Sequence, residues 1–489
     1  MINRYRPLLF WLFITSFFIT ASSVLFYAYG YRFSLERGIF IYSGSLSLKT
    51  NVETVDIRID HELIPKKKLG VLNNSIQVSG LTPGEHFVEV SAPGYLTWGK
   101  KFVIQSGLTT EFWNIYLAQE SYARQAILET ENTLKMFPSP NGLFATMKKD
   151  GDRYAVDVLD IGKQERTEVF ATSDAAFLPS IETNIEWSPE SHKLIIPLVQ
   201  DKNLTYSIVD IETKESFSLN EATKITTPIR SPRWDATSRD FLFFLSENAL
   251  YRFDTRSDTP VKLVAENVVA YDLSGNRLYY LRRDNGLVYK INGNGNDNSP
   301  TEITTTPVTL IETGRYSLIV YDDTRFAVIE EDLGKLFVYN KKVTTDPLKQ
   351  IANGVQSIQY SDDGKKLLFY TDNEIAVYFN QAWEAQPFRA LDSIVQVARF
   401  SSPIKNVQWA EDYEHVIFSL GKSIKMIELD NRDRRDIIDL LTLDILPLQL
   451  LPRFGADKLY VVLESSSDAL GGNTVFDIDL PQYATLFGL

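Results

Sequence analysis

The chain divides into three stretches by the spacing of its apolar and polar residues. The first is an unbroken apolar run, Pro7 to Gly30 (PLLFWLFITSFFITASSVLFYAYG), without charge and interrupted only by Thr15, Ser16, Thr20, Ser22 and Ser23. Its length matches the roughly 20 residues a helix needs to cross a bilayer. Being apolar all round, it does not read as a helix packed by one face on a soluble core. Arg4 and Arg6 precede it, while Arg32 and Arg37 follow with Glu36 between them. That slight charge bias, with the short amino tail, favours a cytoplasmic N-terminus and an exported body. The competing reading is a cleaved signal peptide, with Ala21, Ser22 and Ser23 resembling a cleavage site. Against it, the run continues through Val24, Leu25, Phe26 and Tyr27. The expectation is a cytoplasmic tail over 1–6, a single transmembrane helix over 7–30 and a juxtamembrane linker over 31–45.

The second stretch, residues 46–118, has a period of two. Val55, Ile57 and Ile59 alternate with Asp56, Arg58 and Asp60; His86, Val88 and Val90 alternate with Phe87, Glu89 and Ser91; Phe112 to Leu117 forms a further apolar strand. Turn signals separate them at Asn73-Asn74, Pro83-Gly84, Pro93-Gly94 and Ser106-Gly107. Short strands joined by tight turns predict a small β-sandwich. Leu81-Thr-Pro83-Gly84-Glu-His86-Phe-Val88-Glu-Val90, followed by Pro93-Gly94-Tyr95-Leu-Thr-Trp98, resembles a PEGA domain, covering about a seventh of the chain. The resemblance implies an envelope location with an adhesive or scaffolding role, and no catalytic residues. In this pattern Pro83 presets φ for a turn completed by Gly84, and Tyr95 is expected to pack with Trp98 across the sheet. The segment Lys66-Lys67-Lys68 departs from the family's simpler hairpin and leaves the start of the domain open.

After a linker over 119–130, one unit recurs through 131–489: an apolar strand, a turn, a strand rich in Leu, Ile and Phe, then a strand carrying Tyr or Val. Its turns begin at Phe137, Trp187, Trp234, Tyr271, Tyr321, Tyr360, Trp409 and Phe454. Spacings of roughly 37 to 50 residues suit one four-stranded blade per unit. The prediction is therefore an all-β chain whose largest part is a β-propeller of eight blades; seven, with one unit absorbed as an irregular insert, is the alternative. The turns Trp187-Ser188-Pro189 and Tyr360-Ser-Asp-Asp-Gly364 are similar to those of TolB-like propellers, a resemblance that implies architecture and leaves function open. The aromatic before each turn is expected to pack between neighbouring blades.

Composition narrows the chemistry. Of 489 residues, 12% are aromatic, which leans towards strand, and the net charge of −13 argues against nucleic acid as a partner. The absence of cysteine excludes disulfides, thiolate catalysis and Cys-ligated metal. The histidines His61, His86, His192 and His415 fall in no metal-binding spacing, and His86 reads as a turn or core residue. No nucleophile elbow, phosphate-binding glycine loop or dinucleotide fingerprint is present.

Asn292-Gly-Asn-Gly-Asn-Asp-Asn298 supplies oxygen ligands, but it lacks calcium-loop spacing and reads as a turn. The pairs Asp322-Asp323 and Asp362-Asp363 recur at one blade position and read as turn formers, and the Lys66 to Lys68 run as a solvated loop. Arg432-Asp-Arg-Arg-Asp436 reads as a solvated connection between strands. The expectation is a non-enzyme, with no catalytic residue, cofactor or metal site: a membrane-tethered binding or scaffold protein that engages a protein or envelope polysaccharide. A propeller enzyme acting on an envelope glycan or peptide, and a purely structural envelope component, are the alternatives.

Overall fold

The structure, a computed structural model, describes residues 6–34, 39–65, 69–72, 75–127, 130–177, 185–238, 240–256, 260–294, 299–464 and 473–480. A helix spans Arg6–Ala28, and its Leu9–Ala28 portion is long and apolar enough to cross a membrane, with none of it buried in the protein. In place of the linker expected over 31–45, Tyr31–Ser34 pairs antiparallel with Ile39–Tyr42, setting Tyr31 opposite Tyr42 and Phe33 opposite Phe40. The charges at 32, 36 and 37 masked this aromatic alternation in the sequence. Cross-strand aromatic pairs of this kind stabilise a hairpin that has little else to pack against.

Two four-stranded sheets then form a sandwich. One runs in the order Thr109–Ile115, Gly44–Thr50, Ser75–Leu81, Leu69–Leu72; the other in the order Glu62–Leu63, Asp56–Ile59, Gly84–Ser91, Trp98–Ile104. Thr109–Ile115 lies parallel to Gly44–Thr50, and every other neighbour is antiparallel. The period-two residues face inward as expected: Ile57, Val88 and Val90 are buried with Leu46, Leu48, Phe102 and Phe112. Trp98 takes Phe112 as its ring neighbour at 5.2 Å, while Tyr95, its expected partner, sits half-buried at the edge of that core.

The described residues of the remaining chain form eight four-stranded sheets, so the count of eight holds over seven. Their inner strands, in order, are Thr133–Pro138, Glu186–Trp187, Ile229–Trp234, Val268–Ser274, Tyr316–Asp322, Ser357–Tyr360, Ile404–Trp409 and Pro447–Arg453. Hydrogen bonds link each inner strand to the next blade. The indole N–H groups of Trp187, Trp234 and Trp409 donate to the carbonyls of Phe137, Glu186 and Gln359 in the preceding blade. The Tyr271 hydroxyl donates to the Ser231 carbonyl, and the Tyr321 hydroxyl to that of Asp362. Five of the eight turn aromatics thus bridge blades through a polar tip on an apolar body, whereas Phe137 and Phe454 have no such tip and the Tyr360 hydroxyl is buried without a hydrogen-bond partner among the described residues.

Two devices close the ring. Gln125–Ala126, placed by the sequence in a linker over 119–130, is the outermost strand of the eighth sheet, paired Gln125 to Asp477 and Ala126 to Phe476. The propeller therefore begins before residue 131; a two-residue strand carries no periodicity to announce it. At the inner seam, Gln449 accepts from the Met136 N–H at 2.9 Å and donates to the Met136 carbonyl at 3.0 Å. Closure of this kind leaves only short sheet edges exposed. Replacing Gln449→Leu strands both Met136 groups in the seam, and an expected loss of about 1–3 kcal/mol appears as a lower urea midpoint. An unchanged midpoint counts against this side chain as the inner lock.

Candidate functional site

In each blade, the connections between the first and second strands and between the third and fourth open on one face. The remaining connections open on the opposite face. The sandwich rests on the first of these, over blades six and seven. Its edge strand Trp98–Ile104 points Trp98, Lys100, Phe102 and Ile104 inward, all four buried. Lys100 extends out of the sandwich to the end of Ser423–Glu428: its Nζ lies 2.5 Å from Glu428 Oε1, 3.7 Å from Asp430 Oδ1, and donates to the Asp430 carbonyl at 2.8 Å. The second carboxylate oxygen of Glu428 lies 3.5 Å from the Trp98 indole nitrogen, and Oε1 also accepts from the Asp436 N–H.

The other edge strand, Thr109–Ile115, is capped by one amide. Gln386 accepts from the Glu111 N–H at 3.1 Å and donates to the Thr109 carbonyl at 3.0 Å, as a peptide group of a further strand would. The Gln386 backbone carbonyl accepts the Trp113 indole N–H at 3.0 Å, and the Arg432 guanidinium lies 3.9 Å from the centre of the Phe112 ring. The Lys101 N–H donates to Asp433 at 3.1 Å. Arg432 to Asp436 is therefore an interdomain contact rather than the solvated connection expected, because Arg432, Asp433 and Asp436 all bond within the seam.

Behind this contact lies a second buried charge group in blades six and seven. Lys366, buried, pairs with Glu414, donates to the Tyr413 carbonyl at 2.8 Å and lies 3.9 Å from the Trp383 ring centre. His415 meets Asp412 at 2.6 Å and the Tyr116 ring at 5.7 Å. Burial pushes the Glu414 carboxyl up to about 7 against the pull of Lys366. Burial also raises Glu428 and Asp436, each against Lys100. For His415 burial acts downward, but Asp412 outweighs it and the imidazole is raised.

A third charge group joins the inner strands. The Arg233 guanidinium pairs with Asp272 and lies 3.6 Å from Glu186; Asp272 also accepts from the Val320 N–H at 2.7 Å, and Glu186 from the Trp234 N–H at 3.0 Å. Burial raises both carboxyls. Four successive blades are tied by these contacts, and the carboxylates are engaged with backbone and arginine.

The residues singled out from sequence fall elsewhere. His86, nearly buried, contacts Asp60 and the Thr82 carbonyl at 2.7 Å each, holding its turn. His61 is exposed near Glu89, and His192 is half-buried between Glu190 and Glu212. Asp322 accepts from the Thr324 N–H at 2.8 Å and Asp363 from the Lys365 N–H at 3.0 Å, each within its own turn; Asp323 meets Tyr279 and Lys290. Lys66 to Lys68, Asn73-Asn74 and 295–298 of the asparagine-rich loop lie outside the described residues. Among the described residues, no group of three or more His, Asp or Glu is placed to hold a metal ion. Sequence reasoning missed Lys100, Glu428 and Gln386. Its one signal was a lysine at an inward position of the alternation Trp98, Lys100, Phe102, Ile104, a local conflict that marks a contact beyond the strand.

No family model and no curated protein matches the chain. Solved structures similar to it include a eukaryotic initiation factor (14% identity, TM-score 0.43, 75% of this chain and 94% of that one). The β-propeller domain of Cps50 (Swd1) from Myceliophteria thermophila gives 10% identity and a TM-score of 0.40 over 73% of this chain and 98% of that one. An oligogalacturonate lyase in complex with manganese gives 13% and 0.37 over 71% and 98%. The propeller assignment rests on the strand pairing and not on these likenesses.

The seam has a pH dependence of fixed sign. Glu414, Glu428 and Asp436 hold their protons more tightly folded than unfolded, so their contribution falls as pH rises above the ordinary carboxyl values of 4.5 and 3.8. The raised His415 acts the same way: its contribution is full below its ordinary 6.5 and is lost as pH climbs through its folded value. Asp430, lowered by Arg432 and Lys100 in spite of burial, loses its contribution only as pH falls below 3.8, outside this window. Stability measured by urea titration is expected to decline between pH 4.5 and about 7, and Glu414→Gln to flatten that decline. A flat wild-type profile contradicts the assignment.

Proposed function

We propose that this chain is a membrane-anchored, extracytoplasmic binding or scaffold protein of the cell envelope. In this reading the N-terminal helix crosses the membrane once with its amino end in the cytoplasm, the PEGA-like sandwich is a spacer, and the open propeller face engages a protein or envelope polysaccharide. The observation that carries it is the asymmetry of the propeller. One face is partly covered by the sandwich through a buried, hydrogen-bonded seam; the opposite face carries exposed apolar side chains, Ile311, Leu333 and Leu446, on its connecting loops. Exposed apolar residues on one face of a rigid ring suit recognition by a partner. The enzyme alternative is weakened by the binding of the inner-strand carboxylates to Arg233 and backbone N–H groups.

The full chain in nanodiscs, mixed with purified cell-wall and envelope polysaccharide and pelleted, is expected to co-sediment saturably. The pair Leu333→Asp with Leu446→Asp is expected to abolish that retention while leaving the thermal midpoint in place. Recovery wholly in the supernatant removes the polysaccharide ligand, and retention unaffected by the pair removes this face as the site.

A further inference from the structure

The helix does not hand over to the sandwich through a free tether. Its last turn is packed by the hairpin: Phe26 lies 5.4 Å from Tyr31 and 6.0 Å from Phe40, and Phe33 meets Phe40 at 5.2 Å. Tyr31–Ser34 and Ile39–Tyr42 therefore fold back beside the end of the apolar helix, with Tyr31, Phe33, Phe40 and Tyr42 exposed. Where the hairpin ends, the chain returns to its own start: Ser43 donates through its N–H and hydroxyl to the Gly30 carbonyl at 2.9 and 2.6 Å. The Ser43 carbonyl in turn accepts the Gly107 N–H at 3.1 Å, and Ser45 N–H donates to Leu108 at 3.0 Å. The Tyr42 ring lies so close over Gly107 that a Cβ there would come within 2.3 Å of it. The 105–108 turn of the sandwich is thus fixed to the end of the helix.

That turn is one wall of a cleft of about 580 Å³, whose other wall is the Gln386–Phe388 connection of blade six. Its apolar lining is open to solvent: Val103 is 58%, Leu108 57% and Phe388 68% exposed. Apolar side chains this exposed, continuous with an aromatic hairpin at the end of an apolar helix, match the chemistry of the headgroup–acyl boundary, where aromatic residues concentrate.

We infer that the hairpin, the 105–108 turn and Phe388 form one surface seated in the outer interface of the bilayer that the helix crosses, so that the propeller is held against the membrane at its sandwich-covered side. This inference rests on the anchor reading above. Its occupant is the lipid interface itself, reached through the chain of hydrogen bonds from Gly30 to Leu108.

The chain has no cysteine, so single labelling sites need no background removal. Full-length Phe388→Cys and Leu108→Cys variants carry an environment-sensitive fluorophore in phosphatidylcholine vesicles, with lipid bearing a nitroxide near the headgroup end of its acyl chain. Leu333→Cys on the opposite face and Phe18→Cys in the helix are the references. Quenching at 388 and 108 is expected to exceed that at 333 by about twofold or more, since interfacial elements bury some 5–10 Å into this boundary. Quenching at 388 and 108 equal to that at 333, with 18 still quenched, overturns the second contact and leaves the anchor standing. No quenching at 18 overturns the anchor, and this inference with it. A label at 388 or 108 that is shielded from water but insensitive to nitroxide lipid means that another protein surface covers the cleft, which also overturns the inference.

Discussion

An ammonium group with almost no access to water joins the two folded parts of this molecule. Lys100 leaves the inward face of a sandwich strand and ends between Glu428 and Asp430 of the propeller. Taking such charges out of water costs several kcal/mol per ion, which the arrangement offsets by surrounding the pair with further hydrogen-bond partners. The Asp430 carbonyl, the Trp98 indole and the Asp436 N–H complete that set. Losing one partner of a buried pair costs about 3–5 kcal/mol, so the docked state has no cheap loosened form. Gln386 does the same for the neighbouring strand by presenting an amide where a strand would present a peptide group.

The orientation of the rest follows from this seam. Because the sandwich occupies the side of blades six and seven where the Gln386 and Asp430–Asp436 connections emerge, its described residues cover that face of the ring and not the other. Because the ring is closed at Gln449 and at Gln125–Ala126, a constraint on two blades is passed to all eight. The inner-strand contacts from Glu186 through Arg233 and Asp272 to Val320 stiffen the blades farther from the seam. These buried charges hold blade against blade and domain against domain.

Much of this architecture is legible in the sequence because it is local. The apolar run, the alternation through Ile57 and Val88, and the eight aromatic-led turns each declare an element within a few residues. The hairpin after the helix was obscured by charges at 32, 36 and 37, and the closing strand at Gln125–Ala126 is too short to have a period. The seam was hidden for a different reason: Lys100 and Glu428 are separated by 328 positions, and no periodicity relates residues that meet only in the folded ring. The Arg432 to Asp436 run shows the same limit, since its composition describes a solvated loop and only its neighbours make it an interface. Ligand identity leaves no local pattern at all, because propeller faces are built from loops whose residues converge from separate blades.

The central claim is that sandwich and propeller form one rigid body through the Lys100 seam. The direct measurement is the distance distribution between spin labels at Leu63→Cys in the sandwich and Leu333→Cys on the far face of the propeller, both exposed sites, in the full-length chain. A single narrow distribution, which broadens when Lys100→Met is added, is the predicted result. A broad distribution in the otherwise unaltered chain would mean that the two parts move as tethered beads, and would contradict the account.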